Sequence, residues 1–141
     1  MKILRLAAGA FVAAHGLIHL MGFAAYWPLA TLPDLPYKTT LLSGRWDVGG
    51  VGMKVMAVFW LLAALCYALS VAGFLSGKGW WRPFMLGATA LSTVLCVLDW
   101  AAAYRGGIID LAIFAWLGLE YLILGGRNRG VSAPVSQKEE A

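Results

Sequence analysis

Residues 5–27, RLAAGAFVAAHGLIHLMGFAAYW, decide how this chain is read. Beyond Arg5 at its edge the stretch holds no lysine, arginine, aspartate or glutamate. At ~1.5 Å per helical residue it is long enough to cross the ~30 Å hydrocarbon core of a bilayer. The basic start, Lys2 and Arg5, is also a feature of secretory signals. A signal's apolar segment is usually only ~7–15 residues long, however, so the stretch reads as a retained first membrane span.

Outward from it, Gly50–Phe74, Arg82–Tyr104 and Gly107–Gly126 are three more apolar runs close to the ~20 residues a spanning helix needs. Hydrophobic residues make up 61% of the 141, charged residues 13%, and mean hydropathy is +0.76. A soluble domain cannot bury that much apolar surface. Within hydrocarbon every backbone polar group must be satisfied internally, and a helix does this alone. The expectation is an all-α integral membrane four-helix bundle over residues 1–126, followed by a polar cytoplasmic tail over 127–141.

The pI near 9.3 comes from basic residues at helix ends, not from a single stripe, which argues for the bilayer and against nucleic acid as partner. Lys2, Arg5, Lys78, Arg82, Arg127, Arg129 and Lys138 fall on one side, and Lys38, Arg45, Lys54 and Arg105 on the other. That asymmetry predicts both termini in the cytoplasm. Cys66 and Cys96 sit at different depths of their spans, so no disulfide is expected, and they form no C-x-x-C redox or zinc motif.

The one sizeable loop, broken by Pro28, Pro33 and Pro36, ends in Ser43-Gly44-Arg45-Trp46-Asp47 and reads either as an interfacial plug or as a functional lid. Arg45 and Asp47 are placed to pair. Gly77-Lys78-Gly79 and Arg105-Gly106-Gly107 predict tight returns, and Gly125-Gly126 the end of the last helix. The stretch His15-Gly16-Leu17-Ile18-His19-Leu20-Met21-Gly22-Phe23, with Leu35-Pro36-Tyr37-Lys38 and Ser43-Gly44-Arg45-Trp46-Asp47-Val48-Gly49, resembles a group of small bacterial four-span membrane proteins of unknown function. In topology alone the layout is loosely similar to DoxX-like proteins. The resemblance implies a place in the bacterial cytoplasmic membrane and carries no site residue with it.

His15 and His19, the only two histidines, lie one helical turn apart on one face. The stripe Ala8, Val12, His15, His19, Gly22, Tyr26 has the period of an inward seam, and Ser92, Cys96 and Asp99 form a similar row. Counting ~1.5 Å per residue from the expected span edges puts His19 level with Asp99, and His15 roughly level with Glu120. Lys54 and Asp110 come out shallow, within reach of the interface by snorkelling. Ionisable groups facing lipid cost roughly 3 kcal/mol each on insertion scales, so the deep ones should turn inward and meet.

Several functions suit such a pocket, with His15, His19, Asp99, Glu120, Trp60, Trp116, Lys54 and Asp110 as its candidate residues. His15 and His19 with Asp99 and Glu120 could hold a metal, and one histidine could bind a haem. An imidazole–carboxylate pair could instead do acid–base or redox chemistry on an apolar small ligand lined by Trp60 and Trp116. A proton-coupled transporter would need a homo-oligomer to enclose a path. The alternative is a non-enzymatic scaffold or accessory subunit for a membrane partner, with the same residues serving as interhelical glue.

Overall fold

The computed structural model describes residues 2–131, with side chains through Ile123. It is an all-α membrane bundle of four helices: α1 (Lys2–Tyr26), α2 (Gly49–Ser76), α3 (Trp81–Leu98) and α4 (Trp100–Val131). Each contains a window apolar and long enough to span a bilayer. Their outward faces stay apolar, with Leu17, Val51 and Leu111 all more than 60% exposed, which suits a lipid solvent and not water. Two short strands, β1 (Thr40–Leu41) and β2 (Trp46–Asp47), pair antiparallel in the loop between α1 and α2.

α1 packs on α2, α2 on α3 and α3 on α4, whereas α1 and α4 meet only sparsely. Small residues bring α1 and α2 together. A Cβ at Gly16 would stand 2.7 Å from Tyr67 Cβ, and one at Gly22 2.5 Å from the Trp60 indole. Membrane helices, lacking a hydrophobic drive toward each other, gain contact by this close approach. α2 ends at Gly77, whose φ of 73° is the left-handed conformation glycine supplies at low cost, with the Lys78 amide donating to the Gly73 carbonyl.

The expected return at Arg105-Gly106-Gly107 is displaced. The chain reverses at Asp99 instead, with φ −110° and ψ 37°, and the glycine pair lies inside α4. The buried Asp99 carboxylate accepts hydrogen bonds from the Tyr26 hydroxyl and the Lys38 ammonium, and the Leu42 amide donates to the Leu98 carbonyl. The loop thus caps and breaks the helix that local sequence would have continued. Gly106 instead lets α4 approach α3, since a Cβ there would lie 3.0 Å from Cys96 Sγ. At the far end α4 runs through Gly125 and Gly126 to Val131, so the pair expected to end it lies within it. The tail from residue 132 onward lies outside the described residues.

A histidine–aspartate network beside a lipid-facing cavity

Moving the turn from residues 105–107 to 99 moves every group on α4. Asp110 now lies ten residues past the start of α4 at Trp100, ~15 Å into the bundle, and Glu120 ~30 Å along, at the opposite end. Asp110, expected to snorkel, is fully buried and forms the hub of the polar interior. Its Oδ1 accepts from the Tyr67 hydroxyl at 2.9 Å and lies 2.9 Å from His15 Nε2. Its Oδ2 lies 2.6 Å from Ser92 Oγ, which in turn lies 2.7 Å from His19 Nε2. The His19 Nδ1 hydrogen goes to the His15 carbonyl one turn back, at 3.0 Å. Every helix contributes: α1 both imidazoles, α2 Tyr67, α3 Ser92 and α4 Asp110.

The pairings expected from depth, His19 with Asp99 and His15 with Glu120, are therefore replaced by His19 with Ser92 and His15 with Asp110. Asp99 belongs to the loop clasp with Tyr26 and Lys38. Glu120 pairs with Arg82 at 2.7 Å near the other end and is partly exposed. Lys54 is exposed, its ammonium 5.9 Å from the Trp27 ring centroid, away from the site. Trp116 stacks on Trp81 with ring centroids 5.6 Å apart, in a separate apolar cluster. Trp60 lies beside the network, with its ring centroid 5.2 Å from that of His19. The Asp47 carboxylate accepts from the Gly49 amide at 2.9 Å instead of meeting Arg45. Both cysteines are free.

Sequence reasoning missed Tyr67 and the linking role of Ser92. Tyr67 stands seven residues after Trp60, two turns along the same face of α2, and that spacing was the available signal. Lys38, which covers Asp99, carried no such signal, because nothing local says where a loop will dock.

Hydrogen counting defines what the network can do. Ser92 has one hydroxyl hydrogen but two short contacts, to Asp110 and to His19. A second proton must therefore sit on Asp110 Oδ2 or on His19 Nε2. The two arrangements, neutral acid with neutral imidazole or carboxylate with imidazolium, interconvert by a concerted shift of two protons through the Ser92 hydroxyl. Either satisfies every contact around Ser92 and leaves the cluster without net charge, as a hydrocarbon interior favours.

The metal expectation finds little support in this arrangement. Among the described residues no three His, Cys, Asp or Glu side chains converge as a metal site would require. Asp99 and Glu120 stand elsewhere, and both nitrogens of His19 already have partners. Of the four imidazole nitrogens only His15 Nδ1 is without a partner, so the two histidines do not supply the paired ligands a metal ion would need.

Beside the network is a cavity of about 260 Å³ between α1 and α4, lined by His15, His19, Trp60 and Cys96 among apolar neighbours and roofed by Asp34 and Leu35 of the loop. Two of its wall residues, Ile18 and Met21, are 54% and 43% exposed on the lipid-facing side. Two further apolar clefts follow the same α1–α4 seam, one at Ala8, Val12 and Ile113, the other at Lys2, Phe74 and Glu120. His15 Nδ1 and Trp60 Nε1 are buried without any hydrogen-bond partner. Compared with protein-family models, with curated proteins and with solved structures, the chain matches none.

Proposed function

We propose that this bundle binds a small, largely apolar molecule that enters from the bilayer through the α1–α4 seam and rests against His15, His19 and Trp60. The observation that carries this reading is the pair of buried ring nitrogens, His15 Nδ1 and Trp60 Nε1, left without partners on residues that line one apolar cavity. An unsatisfied buried polar group costs about 1–3 kcal/mol, and a folded protein seldom leaves two at one place unless something else completes them. An apolar wall with a few placed polar groups is also the usual composition of a small-molecule site. The Asp110 network holds both imidazoles in fixed orientation and gives the site a proton to share, which suits acid–base chemistry on the bound molecule.

Native mass spectrometry of protein extracted in mild detergent tests this reading. A small molecule should be retained by the wild-type chain and lost from His15→Ala and Trp60→Ala. If the wild-type chain and both variants release only lipid and detergent, or carry a co-purifying membrane protein in place of a small molecule, the scaffold reading takes its place.

A further inference from the structure

The proton count around Ser92 also determines what His15 offers the cavity. In both uncharged arrangements Asp110 Oδ1 has no hydrogen to give, so the 2.9 Å contact with His15 needs the imidazole to donate from Nε2. A third uncharged arrangement, with the extra proton on His15, would leave Ser92 facing either Asp110 at 2.6 Å or His19 at 2.7 Å across two lone pairs. Contacts that short require a hydrogen between the atoms. His15 Nδ1 is therefore a bare acceptor, and Trp60 Nε1–H can only donate. His15 and Trp60, both residues of the cavity lining, thus hold one buried acceptor and one buried donor, neither used by the protein.

We infer that the cavity takes a small neutral molecule with an apolar body and a hydroxyl group, whose O–H is donated to His15 Nδ1 while Trp60 Nε1–H donates to an oxygen on it. The inference rests on the binding reading above and names its ligand class. A neutral ligand fits because the rim carries one charge of each sign, Arg105 and Asp34, and Arg105 is already engaged with the Tyr104 hydroxyl at 3.2 Å. Water fits less well. Bridging the two nitrogens would give it two polar partners, the fewest of the two to four it needs, and would leave most of the 260 Å³ beside apolar side chains unfilled. A dry engineered cavity of roughly 150 Å³ accommodates benzene, so the space here suits a body of at least one substituted ring.

Three probes of one shape test it: 4-ethylphenol, which donates and accepts; its methyl ether, which only accepts; and ethylbenzene, which does neither. Each is titrated into 15N-labelled protein in lipid nanodiscs, corrected for partition into the bilayer, and followed by the Trp60 indole N–H resonance and the His15 ring nitrogens. The phenol should bind about tenfold more tightly than the ether, the worth of one added hydrogen bond. It should also move the His15 Nδ1 resonance, which the ether should not. His15→Phe should bring the two affinities to within about twofold of each other, while Trp60→Phe should weaken both and keep their ratio. The His15 resonance of the wild-type protein decides the matter even where His15→Phe fails to fold. If phenol and ether bind equally and both shift the indole, the hydroxyl assignment is wrong and the binding reading survives. If none of the three shifts the indole, the binding reading itself fails and this inference with it.

Discussion

Asp110→Asn and Asp110→Leu, two substitutions of similar volume, should have very different costs. An asparagine amide keeps the hydrogen bonds of the protonated carboxyl and adds one N–H, for which Thr93 Oγ1, 3.5 Å from Oδ2, is the nearby acceptor. Its oxygen can accept from Tyr67 and His15, as Oδ1 does at 2.9 Å in each case, and its NH2 can donate to Ser92, which then donates to His19 Nε2. The expected cost is below about 1 kcal/mol, within the range of a single membrane hydrogen bond. Leucine removes three bonds. Tyr67 can turn to Thr89 Oγ1 at 3.3 Å and Ser92 to His19, but His15 Nε2–H is left without a partner. At an average of ~0.6 kcal/mol per interhelical bond, with ~1–3 kcal/mol for the orphaned donor, the loss comes to about 3–5 kcal/mol. Reversible unfolding in mixed detergent micelles measures both. Equal costs for the two substitutions would mean that Asp110 acts through a full negative charge that asparagine cannot supply. The arrangement with a neutral Asp110 acid would then have to be withdrawn, leaving the second proton of the Asp110–Ser92–His19 chain on His19.

Lys38→Met should destabilise the bundle by about 3 kcal/mol or more, because it strands the fully buried Asp99 carboxylate, and adding Asp99→Asn should recover much of the loss by removing the charge; unfolding of the single and double variants checks both steps. Gly22→Ala should cost about 1–3 kcal/mol and alter Trp60 fluorescence, since the new methyl would stand 2.5 Å from the indole; an unchanged spectrum and stability would show that α1 can move away from α2 without penalty. Orientation follows from the distribution of basic residues, which should place position 43 outside and position 79 inside. With Cys66 and Cys96 replaced, Ser43→Cys should be labelled by an impermeant thiol reagent in intact cells and Gly79→Cys should not, and the reverse pattern would invert the orientation.

What the sequence determined by itself was the solvent and the element type. Runs such as 5–27 and 50–74 are too long and too apolar for anything but a bilayer, and a lone chain segment in hydrocarbon satisfies its backbone only as a helix. It also marked the inward face of α1, where Val12, His15, His19, Gly22 and Tyr26 are all buried as the helical period predicts, and Ser92, Cys96 and Asp99 on the matching row. These properties are local, set by length, hydropathy and the 3.6-residue repeat.

Which of those inward groups meet was decided by tertiary structure. The position of a turn sets the depth of everything beyond it, at ~1.5 Å per residue. Gly106-Gly107 looked like that turn because glycines often end helices, yet here they serve close packing against Cys96. The turn instead forms at Asp99, where Lys38 and Tyr26, far away in sequence, hold its carboxylate. That displacement carries Asp110 into the centre beside His15 and Glu120 out to Arg82. The site therefore depends on a contact between a loop and a helix end some sixty residues apart in sequence, a distance no helical period or hydropathy run can span.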